Sequence, residues 1–129
     1  MPWTFSNLEE DTILVSRLDG ILSKPSLMDY YHQYLNAEYF SKYKKEIVDG
    51  RGISKVLCTA SEQQQFVDLI SKHPEELRGS QVAMVADNPV AYGMFRMFEI
   101  QRDDLAYEVR VFREFDEALK WLTATNNRV

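Results

Sequence analysis

Few side chains in this 129-residue chain have the type and spacing for catalysis. The two histidines, His32 and His73, lie far apart, and Cys58 has no second thiol with which to pair. No HxxxH, HExxH or CxxC spacing occurs, so no metal is expected. The acidic runs Glu9-Glu10-Asp11, Glu75-Glu76 and Asp103-Asp104 fall in predicted turns or helix ends. They read as solvated charge, with no two carboxyls aligned for acid–base work. Cys58 precedes a predicted helix start, which lowers thiol pKa, but without a recognisable histidine partner it is expected to be a small buried or half-buried residue. Arg51, between two glycines and just after Asp49, suits either an anion or a salt bridge within a loop, and the salt bridge is the expectation. No catalytic residues and no cofactor emerge, which leaves recognition.

Recognition has three candidate places. The first is the helix predicted from Pro89 to about Arg102, where helical spacing puts Ala91, Met94, Phe95 and Phe98 on one stripe. Tyr92 and Met97 carry apolar surface well round the cylinder, beyond the arc of roughly 100° that a one-sided helix needs. Methionines adapt to irregular shapes and aromatics anchor interfaces. The surplus therefore suits burial on two sides, a dimer or partner face, or a pocket wall for an apolar small molecule. Gly93 within this helix costs roughly 1 kcal/mol relative to alanine and is expected to permit close internal packing.

The second place is Asp87-Asn88, where a central strand meets a helix N-terminus. Open α/β sheets bind ligands there, and free N–H groups favour anions. A plain helix cap is the simpler expectation, since no glycine-rich phosphate loop precedes the helix. The third is Thr59 and Ser61 at another helix start, where a phosphate would be stabilised by the dipole, although capping is the ordinary role of such residues.

These residues need a scaffold, and hydrophobic periodicity supplies its outline. Strands are predicted over Trp3–Glu9 and Thr12–Leu18, joined by a turn at Glu10-Asp11 and prolonged by Ile21-Leu22-Ser23. A helix follows from about Pro25 to Asn36, with Tyr39-Phe40 packing its end and a solvated basic cluster at Lys42–Lys45. A short strand, Glu46–Asp49, ends at Gly50-Arg51-Gly52, read as a turn or backbone-crowded loop. Thr59-x-x-Glu62 and Ser61-x-x-Gln64 both match a capping box and mark a helix start near Ala60, which His73-Pro74 ends. The apolar run Gln81–Ala86 reads as a central strand covered on both faces. After the Pro89 helix come a strand over Glu108–Phe112 and a helix over Phe115–Thr123, with Thr125–Val129 fraying. Trp121 is expected in the core and Trp3 as an edge anchor.

The order β-β-α-β-α-β-α-β-α predicts one α/β domain over residues 1–129, with a mixed, mostly parallel sheet of about five strands and about four helices. A net charge of −5 argues against general nucleic-acid binding and against docking on an anionic membrane. No apolar run approaches the roughly 20 residues of a membrane span, and the N-terminus lacks a secretory pattern. A cytoplasmic protein is the expectation.

The segment VAMVADNPVAYGMFRMFE and the later VRVFREFDEALKWL resemble the STAS-like, or SpoIIAA-like, family of small bacterial and archaeal proteins. The similarity is carried by Ala86, Tyr92-Gly93-Met94, Met97-Phe98-Glu99, Val109-x-Val111-Phe112 and Ala118-x-x-Trp121-Leu122. Asp19-Gly20, Ile47-Val48-Asp49 and Gly52-Ile53 fit more loosely. The resemblance implies a STAS-like fold and a non-catalytic binding or regulatory module. Anti-sigma-factor antagonists of this kind carry a phosphorylatable serine in an Asp-Ser-Ser-Gly type motif, which the corresponding Leu57-Cys58-Thr59-Ala60-Ser61-Glu62 lacks. The broader group is similar in fold to lipid-carrying CRAL-TRIO domains, which makes carriage of an apolar molecule the alternative to protein interaction. The expectations are thus a homodimer, with a further protein partner or an apolar ligand as the other occupants of the Pro89 helix. A phosphorylation-controlled regulator is a weaker alternative.

Overall fold

The computed structural model describes residues 3–36, 42–101 and 107–124. The readings for Tyr39-Phe40, Arg102, Asp103-Asp104 and Thr125–Val129 lie outside those residues. Five strands form one sheet in sequential order: β1 (Trp3–Leu8), β2 (Ile13–Leu22), β3 (Lys45–Val56), β4 (Gln81–Val85) and β5 (Glu108–Phe112). β1 and β2 pair antiparallel, and every later pair is parallel. This is the mixed, mostly parallel sheet that the element order predicts. The helices are α1 (Lys24–Asn36), α2 (Ala60–Ile70), the single turn α3 (Pro74–Leu77), α4 (Pro89–Gln101) and α5 (Phe115–Ala124). Four of them have ten residues or more; the short α3 is not anticipated by the sequence pattern.

The two faces of the sheet are covered unequally. Leu14, Leu18, Val48, Val82, Met84 and Val109 point to one face, beneath α1, α2 and α4. Ile13, Val15, Ile47, Ala83 and Val85 point to the other, where Ala118 and Leu122 of α5 seal them. The period-2 alternation of each central strand thus serves two separate cores. α1 lies over β1 and β2, and α4 over β3 and β5; α2 packs chiefly against α1 and α4 and roofs the space between them. Trp3 ties the edge strand down, its indole N–H donating to the Ser26 carbonyl at 2.8 Å. Trp121 is half-buried, its ring beside Phe112, rather than a fully enclosed anchor.

Three local expectations are corrected. β3 does not end at Asp49: it runs through Gly50-Arg51-Gly52 to Val56, paired with β2 across register shifts between Arg17 and Asp19 and between Gly20 and Ile21. The glycines are there for space. A Cβ on Gly50 would lie 2.7 Å from the Phe95 ring, and one on Gly52 would lie 2.0 Å from the Asp19 carboxylate. The second concerns Gly93, which packs closely against no other element: apart from its own helix backbone, a Cβ there would meet nothing within 4 Å. The hairpin turn is also longer than Glu10-Asp11, with Glu9, Glu10 and Asp11 all at positive φ.

Candidate functional site

α4 is held by its first turn and by its inward face. The Asn88 carboxamide oxygen accepts from the backbone N–H groups of Val90 at 2.8 Å and Ala91 at 3.4 Å. It therefore occupies the donors that an anion would need, and Asp87 beside it is exposed. Ala91, Phe95 and Phe98 are buried. Phe95 lies over Gly50, and Phe98 packs against Phe66 of α2 with ring centroids 6.2 Å apart. Tyr92 and Met94 are half-buried against the same core, and the Arg113 guanidinium sits 4.0 Å from the Tyr92 ring centroid. Met97 is half-buried.

The outward face of α4 departs from the usual pattern. Val90, Gly93, Met97 and Ile100 follow one another at steps of three and four, on the side opposite Ala91, Phe95 and Phe98. Val90 is 61% exposed and Ile100 75%. A surface helix ordinarily turns charged and polar residues outward; on this stripe the chain presents two branched apolar side chains, a methionine and a glycine.

Beneath α4 and α2 lies a cavity of about 70 Å³, walled by Trp3, Tyr30, Phe66, Phe95, Phe98 and Tyr107 among others. Its roof is clasped by amides. Gln63 of α2 donates to the Met94 carbonyl at 2.9 Å and to the Gln101 side chain at 3.2 Å, while Gln101 donates to the Ala60 carbonyl at 3.0 Å.

One wall of the cavity is a carboxyl that sequence reasoning missed. Glu46, near the start of β3, is 3% exposed, and its neighbours across the sheet are Leu14 and Val82. Ser16 Oγ donates to its Oε2 at 2.7 Å and Tyr30 OH at 2.6 Å, and the Tyr34 hydroxyl also bonds to it. Burial pushes its pKa up against the opposing pull of these hydroxyls. After Lys44-Lys45, Glu46 reads as one more surface charge. The available signal was the alternation Glu46-Val48-Gly50, which aligns it with the core face, together with two tyrosines four residues apart on α1.

The remaining sequence candidates lie apart from the cavity. Thr59 caps α2 with a complete capping box: its Oγ1 accepts from the Glu62 N–H at 3.1 Å, and Glu62 Oε1 accepts from the Thr59 N–H at 3.0 Å. Ser61 is exposed in the first turn. Cys58 is buried, and burial followed by the Glu62 charge pushes its thiol pKa up, the reverse of an activated nucleophile. Asp49 is buried between two half-exposed arginines, with Arg51 Nε at 2.9 Å and Arg17 NH1 at 3.0 Å. Burial works to raise its pKa, but the Arg51 hydrogen bonds and both guanidinium charges outweigh it and hold the carboxyl low. This is a salt bridge, as expected, built along a strand instead of in a loop. Among the described residues no group of three or more His, Cys, Asp or Glu is placed to hold a metal, and no helix is long and apolar enough to cross a membrane.

Comparison with solved structures places this architecture among known ones. The chain is similar to the crystal structure of an uncharacterised DUF3478-family protein with a SpoIIAA-like fold from Shewanella loihica PV-4. The TM-score is 0.60 at 16% sequence identity, and the alignment covers 93% of this chain and 91% of the other. The protein has a SpoIIAA-like α/β fold. No family profile and no curated protein sequence matches the chain.

Proposed function

We propose that the protein is a non-catalytic binding module that works through protein interaction, self-association included, on the outward face of α4. The observation that carries this reading is the outward stripe Val90-Gly93-Met97-Ile100, in which Val90, Gly93 and Ile100 are exposed and Met97 is half-buried. Scattered apolar residues on a surface need no explanation, but a contiguous row on one helix face marks an interaction site. The bare Gly93 backbone lowers the stripe at its centre, so a second helix can approach closely there. A two-fold antiparallel pairing about Phe95 sets Val90 opposite Ile100 and Gly93 opposite Met97, so the row is self-complementary in spacing, as an isologous contact requires.

A second reading, carriage of an apolar small molecule, is favoured by the aromatic cavity between α4 and the sheet. Size favours the first. Ligand pockets hold about 300–1,000 Å³, against about 70 Å³ here. A lipid chain would enter only if α2 and α4 parted and the Gln63–Gln101 clasp opened. Phosphorylation control at Thr59 or Ser61 has only helix-capping geometry behind it.

Native mass spectrometry of the protein purified from cells tests the proposal. A dimer without an adduct is the expected result. A bound molecule released on denaturation would favour carriage, and a bare monomer would count against both.

A further inference from the structure

We propose that the cavity under α2 is a binding site for a short alkylammonium group, with Glu46 as its counter-ion and the surrounding aromatic rings as its cage. This inference concerns the inside of the domain and stands independently of what the outward face of α4 does.

A buried carboxyl pairs with a base or a metal or else keeps its proton, because an isolated charge in an apolar interior is strongly disfavoured. Glu46 is buried, yet among the described residues no lysine, arginine or histidine lines the cavity it faces. Three hydroxyls instead converge on it, from Ser16 of β2 and from Tyr30 and Tyr34 of α1. Hydroxyls orient a carboxyl and share its charge without neutralising it. Burial keeps a proton on Glu46 to a higher pH than usual, and a cation in the cavity would take that proton's place.

The rest of the wall suits that cation. Trp3, Tyr30, Tyr34, Phe66, Phe98 and Tyr107 surround the space, and Tyr30 packs within 4.8 Å of Trp3, 5.2 Å of Tyr34 and 5.9 Å of Phe66 between ring centroids. Aromatic faces attract ammonium groups, the more so where water is excluded. An anion would face Glu46 and the negative ring faces together, and a wholly apolar guest would leave the carboxyl unused. Volume sets the size. A cavity of about 150 Å³ takes benzene, so 70 Å³ corresponds to about three heavy atoms, such as a dimethylammonium or ethylammonium group.

Binding must then couple to the proton on Glu46. Among the described residues the titratable groups facing it are the phenols of Tyr30 and Tyr34, and Tyr107 lines the same space; burial, then the charge on Glu46, holds the Tyr30 and Tyr34 phenols neutral well beyond their usual range. Glu46 is therefore the group that changes charge. A cation that enters displaces its proton, and affinity rises with pH until the empty site is already ionised.

The test is a ¹H–¹⁵N NMR titration of the full chain with dimethylammonium chloride, followed at the Trp3 indole N–H, with ethanol as the neutral probe of equal size and sodium chloride as the salt control. The expected result is a saturable shift with dimethylammonium alone, tightening as pH rises and weakened about tenfold or more by Glu46→Gln. Equal shifts with ethanol, a pH-independent affinity, or no saturable shift would overturn the proposal. The comparison of probes and of pH uses the unaltered protein, so it holds even if Glu46→Gln does not fold.

Discussion

Glu46 and Asp49 are two buried acids three residues apart whose pKa values move in opposite directions, and stability should show it. The folded protein holds the Glu46 proton to a higher pH than the unfolded chain, where a glutamate titrates at about 4.3. The contribution of Glu46 is therefore fully present below that value and is lost as pH rises through its folded pKa. Asp49 is held below its usual value, so its contribution is present above about pH 3.9 and is lost as pH falls through the folded pKa. Glu46→Gln should thus flatten the loss of stability on the alkaline side of the carboxyl range. Asp49→Asn should cost about 1.5–3 kcal/mol at neutral pH, less on acidification. Urea unfolding midpoints across a pH series check both. Packing at the same strand gives a further prediction. Gly50→Ala should cost about 1–3 kcal/mol, because its Cβ meets the Phe95 ring, and Phe95→Leu should return part of that loss.

At the scale of elements, caps and periodicity made the C-terminal half legible. Asn88-Pro89 start α4 where the sequence places it, and Thr59-x-x-Glu62 forms the box its spacing predicts. Thr59→Ala should cost about 1 kcal/mol through α2 alone, as thermal unfolding would report. β3 was illegible beyond Asp49 because glycine signals a turn only when backbone freedom is the reason for it. Here Gly50 and Gly52 answer to side chains from α4 and β2, which are distant in sequence. Gly93 shows the converse. Its sequence context suggested close packing, whereas the structure leaves it open, so Gly93→Ala should stabilise the folded chain by up to about 1 kcal/mol. If α4 pairs with a second copy, the same substitution should weaken the pairing, a separation of effects that unfolding and dilution experiments read independently.

For the whole molecule, alternation of strands and helices fixed the fold class, while the division of labour on α4 needed coordinates. The apolar surplus on that helix reads in sequence as one undivided feature, since periodicity reports which residues share a face and not what covers it. In the structure it divides into an inner set, Ala91, Phe95 and Phe98, and an outer row, Val90, Met97 and Ile100. Glu46 was out of reach for the same reason, its meaning arising from residues of β2 and α1 that converge only on folding. Self-association is proposed to run through this outer row. Sedimentation equilibrium of the wild type and of Ile100→Asp, over a dilution series, tests it directly. The wild type should be dimeric and the variant a folded monomer. A wild type that stays monomeric throughout, or a variant that associates just as tightly, would contradict it.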